Sequence, residues 1–289
     1  MRKMLLALCL VLGALLAVSV VAAQDDEGGV TIPLLADGET VDAEFEDSSM
    51  QIFMFLGSEG DEVTITMESD DPSVLDPFVI LLGTTGEVIA YNDDVDYDNG
   101  DYNSEIDSVE LPADGRYIVL ASTYNEFQVP SVTPDSPLDE PLAYTLTASG
   151  FNEPQEIQPE ESNNFVLEAE DGEVHVEGTL TVSADLPVAY IFFPAEEGQE
   201  ISLSTSEVSD SDQAVTDTLI YVFDAEGQRI AGNDDIDLDN GDYFSEVSVE
   251  APDSGTYIAF VTSYAFWAAA EDPDNYAGAG DIGITLDVQ

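Results

Sequence analysis

The sequence is short of basic side chains, of cysteine and of histidine. Its 289 residues include 4 Lys and Arg against 62 Asp and Glu, which gives a net charge of −58 at pH 7. A surface this negative repels polyanions, so nucleic acid is excluded as a partner and cations are favoured. One histidine and one cysteine also argue against a Ser-His-Asp or Cys-His active site and against a zinc centre.

The first 23 residues differ from the rest because they carry no acid. Two basic residues begin this stretch, an unbroken apolar run follows, and Ala22-Ala23 ends it. This order is typical of a cleaved signal peptide, so we predict an extracellular or periplasmic protein with no membrane insertion after cleavage. Cleavage would remove Cys9 and leave Arg116 and Arg229 as the basic residues, so no disulfide is expected.

The remaining chain repeats one pattern at an offset near 140 residues. IFMFLGSEGDEVTITM, from Ile52, matches YIFFPAEEGQEISLST, from Tyr190. DPFVILLGTTGEVIAYNDD, from Asp76, matches DTLIYVFDAEGQRIAGNDD, from Asp217. This spacing indicates a tandem duplication, with modules at 24–149 and 165–289. Residues 150–164, rich in Pro, Glu and Asn and without periodicity, are predicted to be a linker.

The matched segments have the character of strands. DEVTITM and EISLS alternate between polar and apolar residues, as half-buried strands do, whereas FVILL and LIYVF are continuous apolar runs, as in strands covered on both faces. Most segments are bounded by Gly, Asp, Asn or Pro. The sequence therefore predicts an all-β fold of two tandem antiparallel β-sandwich, jelly-roll-like modules, each with about seven to nine strands.

The order of these segments resembles the bacterial pre-peptidase C-terminal domain family, which is related to bacterial collagen-binding domains. The resemblance lies in an aromatic strand before a turn at Gly60 or Gly198, a second turn at Gly86 or Gly227, the Asn-Asp-Asp triplets, and the strands LPADGRYIV and APDSGTYIA. It implies secretion, a calcium-stabilised sandwich, and a role in substrate attachment or maturation rather than catalysis. The acidic stretch after each triplet is longer than this resemblance implies.

Each repeat contains one crowded acidic phrase, AYNDDVDYDNGDYNSEI at 90–106 and AGNDDIDLDNGDYFSEV at 231–247. Neighbouring carboxylates repel one another, so a fold retains them at low cost only when they are solvated or bound to a cation. Their D-x-D-x-D spacing with a glutamate at the twelfth position is close to that of a calcium loop. We therefore predict Ca²⁺ sites with these ligands: Asn92, Asp93, Asp94, Asp96, Asp98, Asp101, Glu105, Asn233, Asp234, Asp235, Asp237, Asp239, Asp242 and Glu246.

Two further observations qualify this metal-site prediction. The Asn-Gly pair in each phrase also predicts a hairpin with a type I′ turn, in which the aspartates simply face water. Ligands in a sandwich can also come from distant strands, so Asp76 and Asp217, which open matched strands, are additional candidates.

Long connections before the last strand of each repeat carry aromatic residues. Long loops on sandwiches often bind ligands, although burial of the rings against the sandwich edge explains the aromatics equally well. The candidate ligand-binding residues are Tyr124, Phe127, Tyr264, Phe266, Trp267 and Tyr276. His175 lies in the alternating segment GEVHVEG, which indicates a surface or edge position.

We predict a secreted, non-catalytic, calcium-binding protein that binds an extracellular polymer, protein or polysaccharide, or a cell-surface partner. One alternative is an acidic scaffold adapted to high salt without a specific metal, which the scarcity of lysine favours. The clustering of acids at matched positions favours the calcium hypothesis. A carboxylate-based glycoside hydrolase is a weaker alternative, because no pair among so many acids is distinguished from the others.

Overall fold

A computed structural model describes residues 34–45, 50–69, 71, 74–124, 141–154, 164–209, 211, 214–266 and 278–289. The predicted signal peptide, most of the predicted linker, and Phe127, Trp267 and Tyr276 lie outside these ranges. No helix in the described ranges is long and apolar enough to span a membrane.

Module 1 is a sandwich of two four-stranded antiparallel sheets. The outer sheet has the order β1-β8-β3-β6 and the inner sheet the order β2-β7-β4-β5. The strands are β1 (Thr40–Phe45), β2 (Met50–Gly57), β3 (Glu62–Ser69), β4 (Pro77–Leu82), β5 (Val88–Asn92), β6 (Ser104–Glu110), β7 (Gly115–Thr123) and β8 (Leu142–Ser149).

Module 2 repeats this topology. Its outer sheet is β10-β17-β12-β15 and its inner sheet β14-β13-β16-β11, extended by β9, which pairs in parallel with β11. The strands are β9 (Asn164–Val166), β10 (Val174–Val182), β11 (Val188–Ala195), β12 (Glu200–Ser206), β13 (Thr218–Phe223), β14 (Arg229–Asn233), β15 (Glu246–Glu250), β16 (Gly255–Ser263) and β17 (Gly280–Val288). The predicted fold class, two tandem antiparallel β-sandwiches, is confirmed.

The first residues of the predicted linker belong to module 1. Phe151 is buried in the core of that module, where its ring centroid lies 4.5 Å from that of Phe55. The Asn152 amide donates to a carboxylate oxygen of Asp61 at 2.7 Å. These contacts hold the chain against the sandwich for several residues beyond β8.

The continuous apolar strands are covered on two sides by different neighbours. In β4, Val79 and Leu81 face the core of module 1, whereas Phe78, Ile80 and Leu82 enter a separate apolar cluster shared with module 2. β13 behaves in the same way, with Ile220 and Val222 on one face and Leu219, Tyr221 and Phe223 on the other. The inner sheets of the two modules therefore pack against each other, and the described chain forms four layers of sheet.

We call the shared cluster the inter-module core. At its edges, equivalent turns of the two modules contact equivalent strands of the other module. The turn at Gly227 in module 2 contacts β2 of module 1, where the Ile52 amide donates to the Gly227 carbonyl at 2.8 Å. The equivalent turn at Gly86 in module 1 lies against Val188 and Tyr190 on β11. Equivalent elements thus exchange equivalent contacts, as in an isologous dimer interface, here formed within one chain.

The two arginines of the predicted mature chain both lie at the inter-module core. The Arg116 guanidinium lies 5.7 Å from the ring centroid of Phe192 in the other module, and that of Arg229 lies 5.2 Å from the ring centroid of Tyr221. Guanidinium groups stack on aromatic faces while burying their aliphatic stems. The repeat does not match these arginines by position, yet the fold brings both to the same core.

Candidate functional site

The acidic phrases form the connection between the edge strand of each inner sheet and the edge strand of each outer sheet. β5 ends at Asn92 and β14 at Asn233, and each of these side chains closes the base of its loop. The Asn92 Oδ1 accepts the Glu105 amide at 3.0 Å, and the Asn233 Oδ1 accepts the Glu246 amide at 3.0 Å. The two bases are therefore built identically.

The tip of each loop is a short 3-10 turn, Tyr97–Asn99 or Leu238–Asn240, followed by a left-handed glycine. In the described ranges the only non-glycine residues with positive φ are Ser108 and Asp171, so Asn99 and Asn240 are right-handed. A type I′ turn requires positive φ at both of its central residues. The predicted type I′ hairpin is therefore wrong, although the strands do return on themselves through a bridge between Asp96 and Asp101 and its counterpart in module 2.

The aspartate before each 3-10 turn caps it. The two carboxylate oxygens of Asp96 accept the Asn99 amide at 3.2 Å and the Asn99 side-chain amide at 2.5 Å. Asp237 makes the same two bonds to Asn240, at 3.2 and 2.6 Å. Both aspartates thus have a structural task that explains their presence without a metal.

The linear twelve-residue spacing does not correspond to one enclosed loop. Asp96, Asp98 and Glu105 are exposed, and so are Asp237, Asp239 and Glu246. The half-buried aspartates are instead Asp93, Asp94, Asp234 and Asp235, which directly follow each asparagine, together with Asp242. The acids at the base of each loop are therefore mostly half-buried, whereas those of the D-x-D-x-D spacing at the tip are exposed.

Acids from two separate chain segments interact at each base. In module 1, burial raises the pKa of Asp94, and the charges of Asp93 and Asp101 raise it further. Burial also raises the pKa of Asp76, the residue that precedes β4, with contributions from Asp94 and Asp93. Asp76, a secondary candidate in the sequence, therefore belongs to the same electrostatic cluster as the acidic phrase.

Module 2 reproduces this cluster. Burial raises the pKa of Asp217, followed by the charges of Asp235 and Asp234, and burial and Asp242 raise the pKa of Asp235. The neighbouring Tyr264 hydroxyl also has a raised pKa, from burial and then from the charges of Asp234, Asp217 and Asp235. We call these two sets the base clusters: Asp76, Asp93, Asp94 and Asp101 in module 1, and Asp217, Asp234, Asp235 and Asp242 in module 2.

The base clusters offer oxygen donors but are not preassembled. Asp94 Oδ1 is inaccessible and accepts no hydrogen bond in the described structure, which is costly for a carboxylate oxygen. At the same time, no three Asp, Glu, His or Cys side chains among the described residues converge closely enough to form a ready metal-binding group. A cation here would have to draw the carboxylates inward, which Ca²⁺ permits because its coordination geometry is flexible.

The candidate aromatic residues have different positions. Phe266 is buried in the inter-module core, with its ring centroid 5.5 Å from that of Phe260, which fits the burial that the sequence leaves open as the alternative to a ligand contact. Tyr124 packs against the same core, and Tyr264 is exposed beside the module 2 base cluster. The Tyr124 and Tyr264 amides donate to the carbonyls of Asp76 and Asp217, at 2.9 and 3.1 Å.

The single histidine lies elsewhere. His175 Nδ1 contacts the Asp287 carboxylate across the β10–β17 pair, and its side chain is exposed. This agrees with the surface position that the sequence indicates.

In the hairpin alternative the sequence places the apolar residues of the loop tips on one side, but it does not predict that they are exposed. Val95, Tyr97 and Tyr102 are exposed in module 1, and Ile236, Leu238 and Tyr243 are exposed in module 2. The signal was present in the repeat itself, because the same positions are apolar in both acidic phrases.

Comparison with known proteins gives one family. Residues 187–263 match the family described as bacterial pre-peptidase C-terminal domain. No curated protein matches the chain. Among solved structures, the chain is similar to the pre-peptidase C-terminal domain of a Bacillus anthracis collagenase, with 10% identity, a TM-score of 0.30, and coverage of 44% of this chain and 100% of that one. It is also similar to PliG of Aeromonas hydrophila, a periplasmic inhibitor of g-type lysozyme, with 18% identity, a TM-score of 0.26, and coverage of 44% and 96%.

The family match falls within module 2, from its inner-sheet strand β11 to the end of β16. Module 1 has the same strand order and the same acidic connection, so it repeats the architecture of the matched region. Strands β11 to β16 of module 2 are therefore the part of this chain that is similar to the bacterial pre-peptidase C-terminal domain family.

Proposed function

We propose that this protein is a secreted or periplasmic, non-catalytic, calcium-binding module pair that binds an extracellular polymer, protein or polysaccharide, or a cell-surface partner. The observation that carries the calcium assignment is the pair of equivalent base clusters. Each brings together acids from two separate chain segments, the residue before β4 or β13 and the loop after β5 or β14. Their mutual repulsion and partial burial are costs that a bound divalent cation would remove.

The donor set suits calcium among the common cations. The clusters offer carboxylate oxygens, and the side chains of Asn92 and Asn233 lie next to them in the sequence. They contain no sulfur or imidazole. Calcium takes six to eight such oxygens, whereas zinc prefers nitrogen and sulfur. Asp76, Asp93, Asp94 and Asp101 would hold the ion in module 1, and Asp217, Asp234, Asp235 and Asp242 would hold it in module 2.

The role of the ion would be structural. It would tie the start of β4 or β13 to the loop after β5 or β14, and so hold the edge of each inner sheet against its outer sheet. Metal binding to the folded state alone stabilises that state by mass action, at about 2.7 kcal/mol per site when calcium is at about 100 times its dissociation constant. The ion would thereby hold each acidic loop in a fixed position on its sandwich.

Thermal unfolding in three solutions tests the proposal: about 1 mM calcium, EDTA, and EDTA with concentrated NaCl. We expect a large loss of stability in EDTA that NaCl does not restore, because a specific site needs a divalent ion. Recovery in NaCl would instead support the acidic scaffold adapted to salt, since monovalent ions screen repulsion without coordination. No effect of EDTA would contradict calcium binding.

A further inference from the structure

The exposed apolar residues of the described chain are concentrated at the two loop tips, residues 95–102 and 236–243. Eleven large hydrophobic side chains are exposed in the described ranges, and six of them lie in these two short segments. Single exposed apolar residues need no explanation, but a cluster of them marks an interaction surface. These six apolar side chains lie within the acidic phrases of a chain whose net charge is −58. A loop that only has to be solvated would not need them.

The fold does not need these side chains. Tyr97 is 70% exposed and Leu238 is 63% exposed, and neither belongs to any of the three apolar cores. Tyr97 makes one edge contact with the Tyr102 ring, with the centroids 6.0 Å apart. The turn itself is specified by the capping aspartate and the left-handed glycine, which a polar residue at position 97 or 238 would leave unchanged.

The chemistry of the tips selects a partner. Apolar side chains surrounded by exposed carboxylates complement a surface that alternates cationic and apolar groups, because the charges attract while the apolar groups lose water. An anionic lipid surface would be repelled. The most exposed apolar side chain is aromatic in one tip, Tyr97, and aliphatic in the other, Leu238, so the two tips share apolar character rather than a stacking platform at this position.

We propose that the two loop tips are a docking surface for a cationic protein segment in which Lys or Arg alternates with apolar residues. This rests on the proposed function, because it names the partner class for the same loops. The two tips carry the same acidic and apolar chemistry at matched positions, so each offers such a partner an equivalent contact.

The test uses the full chain and three labelled synthetic peptides of equal length: alternating Lys and Leu, alternating Lys and Ser, and alternating Glu and Leu. Binding is measured by fluorescence anisotropy at near-physiological salt, in calcium and in EDTA. Burying a leucine-sized side chain contributes about 1.5–3 kcal/mol. The Lys-Leu peptide should therefore bind at least about tenfold more tightly than the Lys-Ser peptide, and the Glu-Leu peptide should not bind.

A matched pair of variants tests whether the tips are responsible. Tyr97→Ser with Leu238→Ser should abolish the preference for Lys-Leu over Lys-Ser. Leu34→Ser with Val166→Ser removes two apolar side chains that are similarly exposed, at 54% and 57%, but lie beside the inner sheets, and should leave the preference unchanged. Surface substitutions of this kind alter stability by less than about 0.5 kcal/mol, so loss of fold does not confuse the result.

Three results would overturn the proposal. The first is equal binding of both lysine peptides, which would indicate general attraction to a polyanion. The second is a preference that survives the tip substitutions. The third is tip-dependent binding to phosphatidylserine vesicles in calcium without binding to the peptides, which would assign the tips to a membrane. Thermal unfolding of the same variants in calcium and EDTA reports the metal separately, so failure of the calcium assignment and failure of the docking surface are distinguishable.

Discussion

The two modules have the same structure in their acidic loops but different side chains on the inner sheets with which they face each other. Their acidic connections share the same cap, the same left-handed glycine and the same base cluster. At the inter-module core, module 1 contributes mostly aliphatic side chains: Met50, Ile52, Met54, Phe78, Ile80, Leu82, Ile118 and Leu120. Module 2 contributes mostly aromatic side chains there: Val188, Tyr190, Phe192, Leu219, Tyr221, Phe223, Ile258, Phe260 and Phe266.

This difference teaches that the two halves of the duplication are specialised for each other where their inner sheets meet. Two faces built from the same topology could pair with copies of themselves, but an aliphatic face against an aromatic face favours the mixed pairing. Both modules also have a parallel pairing at this edge: β9 pairs with β11 in module 2, and Leu34, the first described residue, forms a parallel bridge with Met54 in module 1.

The largest expected effect comes from breaking the aromatic half of the inter-module core. Phe260 is fully buried between Tyr190 and Phe266, with ring centroids 5.6 and 5.5 Å away. Phe260→Ala should lower the free energy of unfolding by about 3–5 kcal/mol, and Leu120→Ala, at the equivalent position of module 1, by about 2–5 kcal/mol. Urea unfolding measures both. A loss below about 1 kcal/mol for Phe260→Ala would mean that the two inner sheets are not packed together.

The second prediction separates the two base clusters. Asp94→Asn and Asp235→Asn each remove one charge from one cluster, so each should remove the calcium stabilisation of one site. That is about 2.7 kcal/mol when calcium is at about 100 times the dissociation constant. Isothermal titration calorimetry should show the number of bound ions fall from two to one in either variant. Two ions in both variants, with unchanged affinity, would contradict the assignment of these aspartates as ligands.

The third prediction uses two left-handed glycines of module 2. Gly227→Ala would put a Cβ 2.3 Å from the Ile52 carbonyl oxygen of module 1, whereas Gly198→Ala meets nothing within 4 Å. Both variants lose about 1–2 kcal/mol from the positive φ. Gly227→Ala should lose about 1–3 kcal/mol more, because it displaces the bond from the Ile52 amide to the Gly227 carbonyl. Equal losses in denaturant unfolding would mean that this turn does not touch the other module.

The smallest effect concerns pH and a position where the modules differ. Asp224 precedes the Gly227 turn, and module 1 has Gly83 at the equivalent place. Burial raises the pKa of Asp224 to about 6, and the charges of Glu226 and Asp253 raise it while amide bonds from Gln228 and Glu226 lower it. The folded state therefore holds this proton more tightly than the unfolded state, so stability should rise as the pH falls from about 7 through about 6.

Asp224→Asn should remove this contribution, which is at most about 1.4 kcal/mol per pH unit. The asparagine oxygen can still accept the Glu226 and Gln228 amides, which lie 3.0 and 2.8 Å from the aspartate oxygen. Denaturant unfolding of the unsubstituted protein and of Asp224→Asn, in EDTA between pH 4 and 8, measures the difference in their free energies of unfolding. The many other acids contribute equally to both proteins. Parallel pH profiles would show that Asp224 does not titrate in this range.

Much of the module architecture could be predicted from local patterns. The alternation in DEVTITM corresponds to β3, in which Val63, Ile65 and Met67 are buried. The offset near 140 residues predicted two sandwiches with equivalent elements, and the structure has them. The Asn-Gly pair alone gave the wrong turn type, because the capping bonds of Asp96 favour a right-handed Asn99 and leave the positive φ to Gly100.

The sequence identified the chain segments of the candidate site, but not which of their side chains come together in space. The crowding of aspartates identified the loops, but spacing gave no information on which of them are half-buried. Asp76 joins the module 1 base cluster because β4 and the loop after β5 lie at the same edge, which is a property of the sheet order. Phe266 was interpreted as a possible ligand contact because an aromatic residue in a long connection fits either a ligand or a core equally well.

By itself the sequence determined the strands, the duplication, the extreme charge and the acidic loops, because these follow from residue type and spacing within a few neighbours. The tertiary structure alone decided that FVILL and LIYVF are covered by the other module, that both arginines lie at that face, and that the loop tips are left exposed. A continuous apolar run in the sequence indicates only that both faces of the strand are buried. Which surface covers it depends on contacts between residues more than a hundred positions apart, and local patterns carry no record of them.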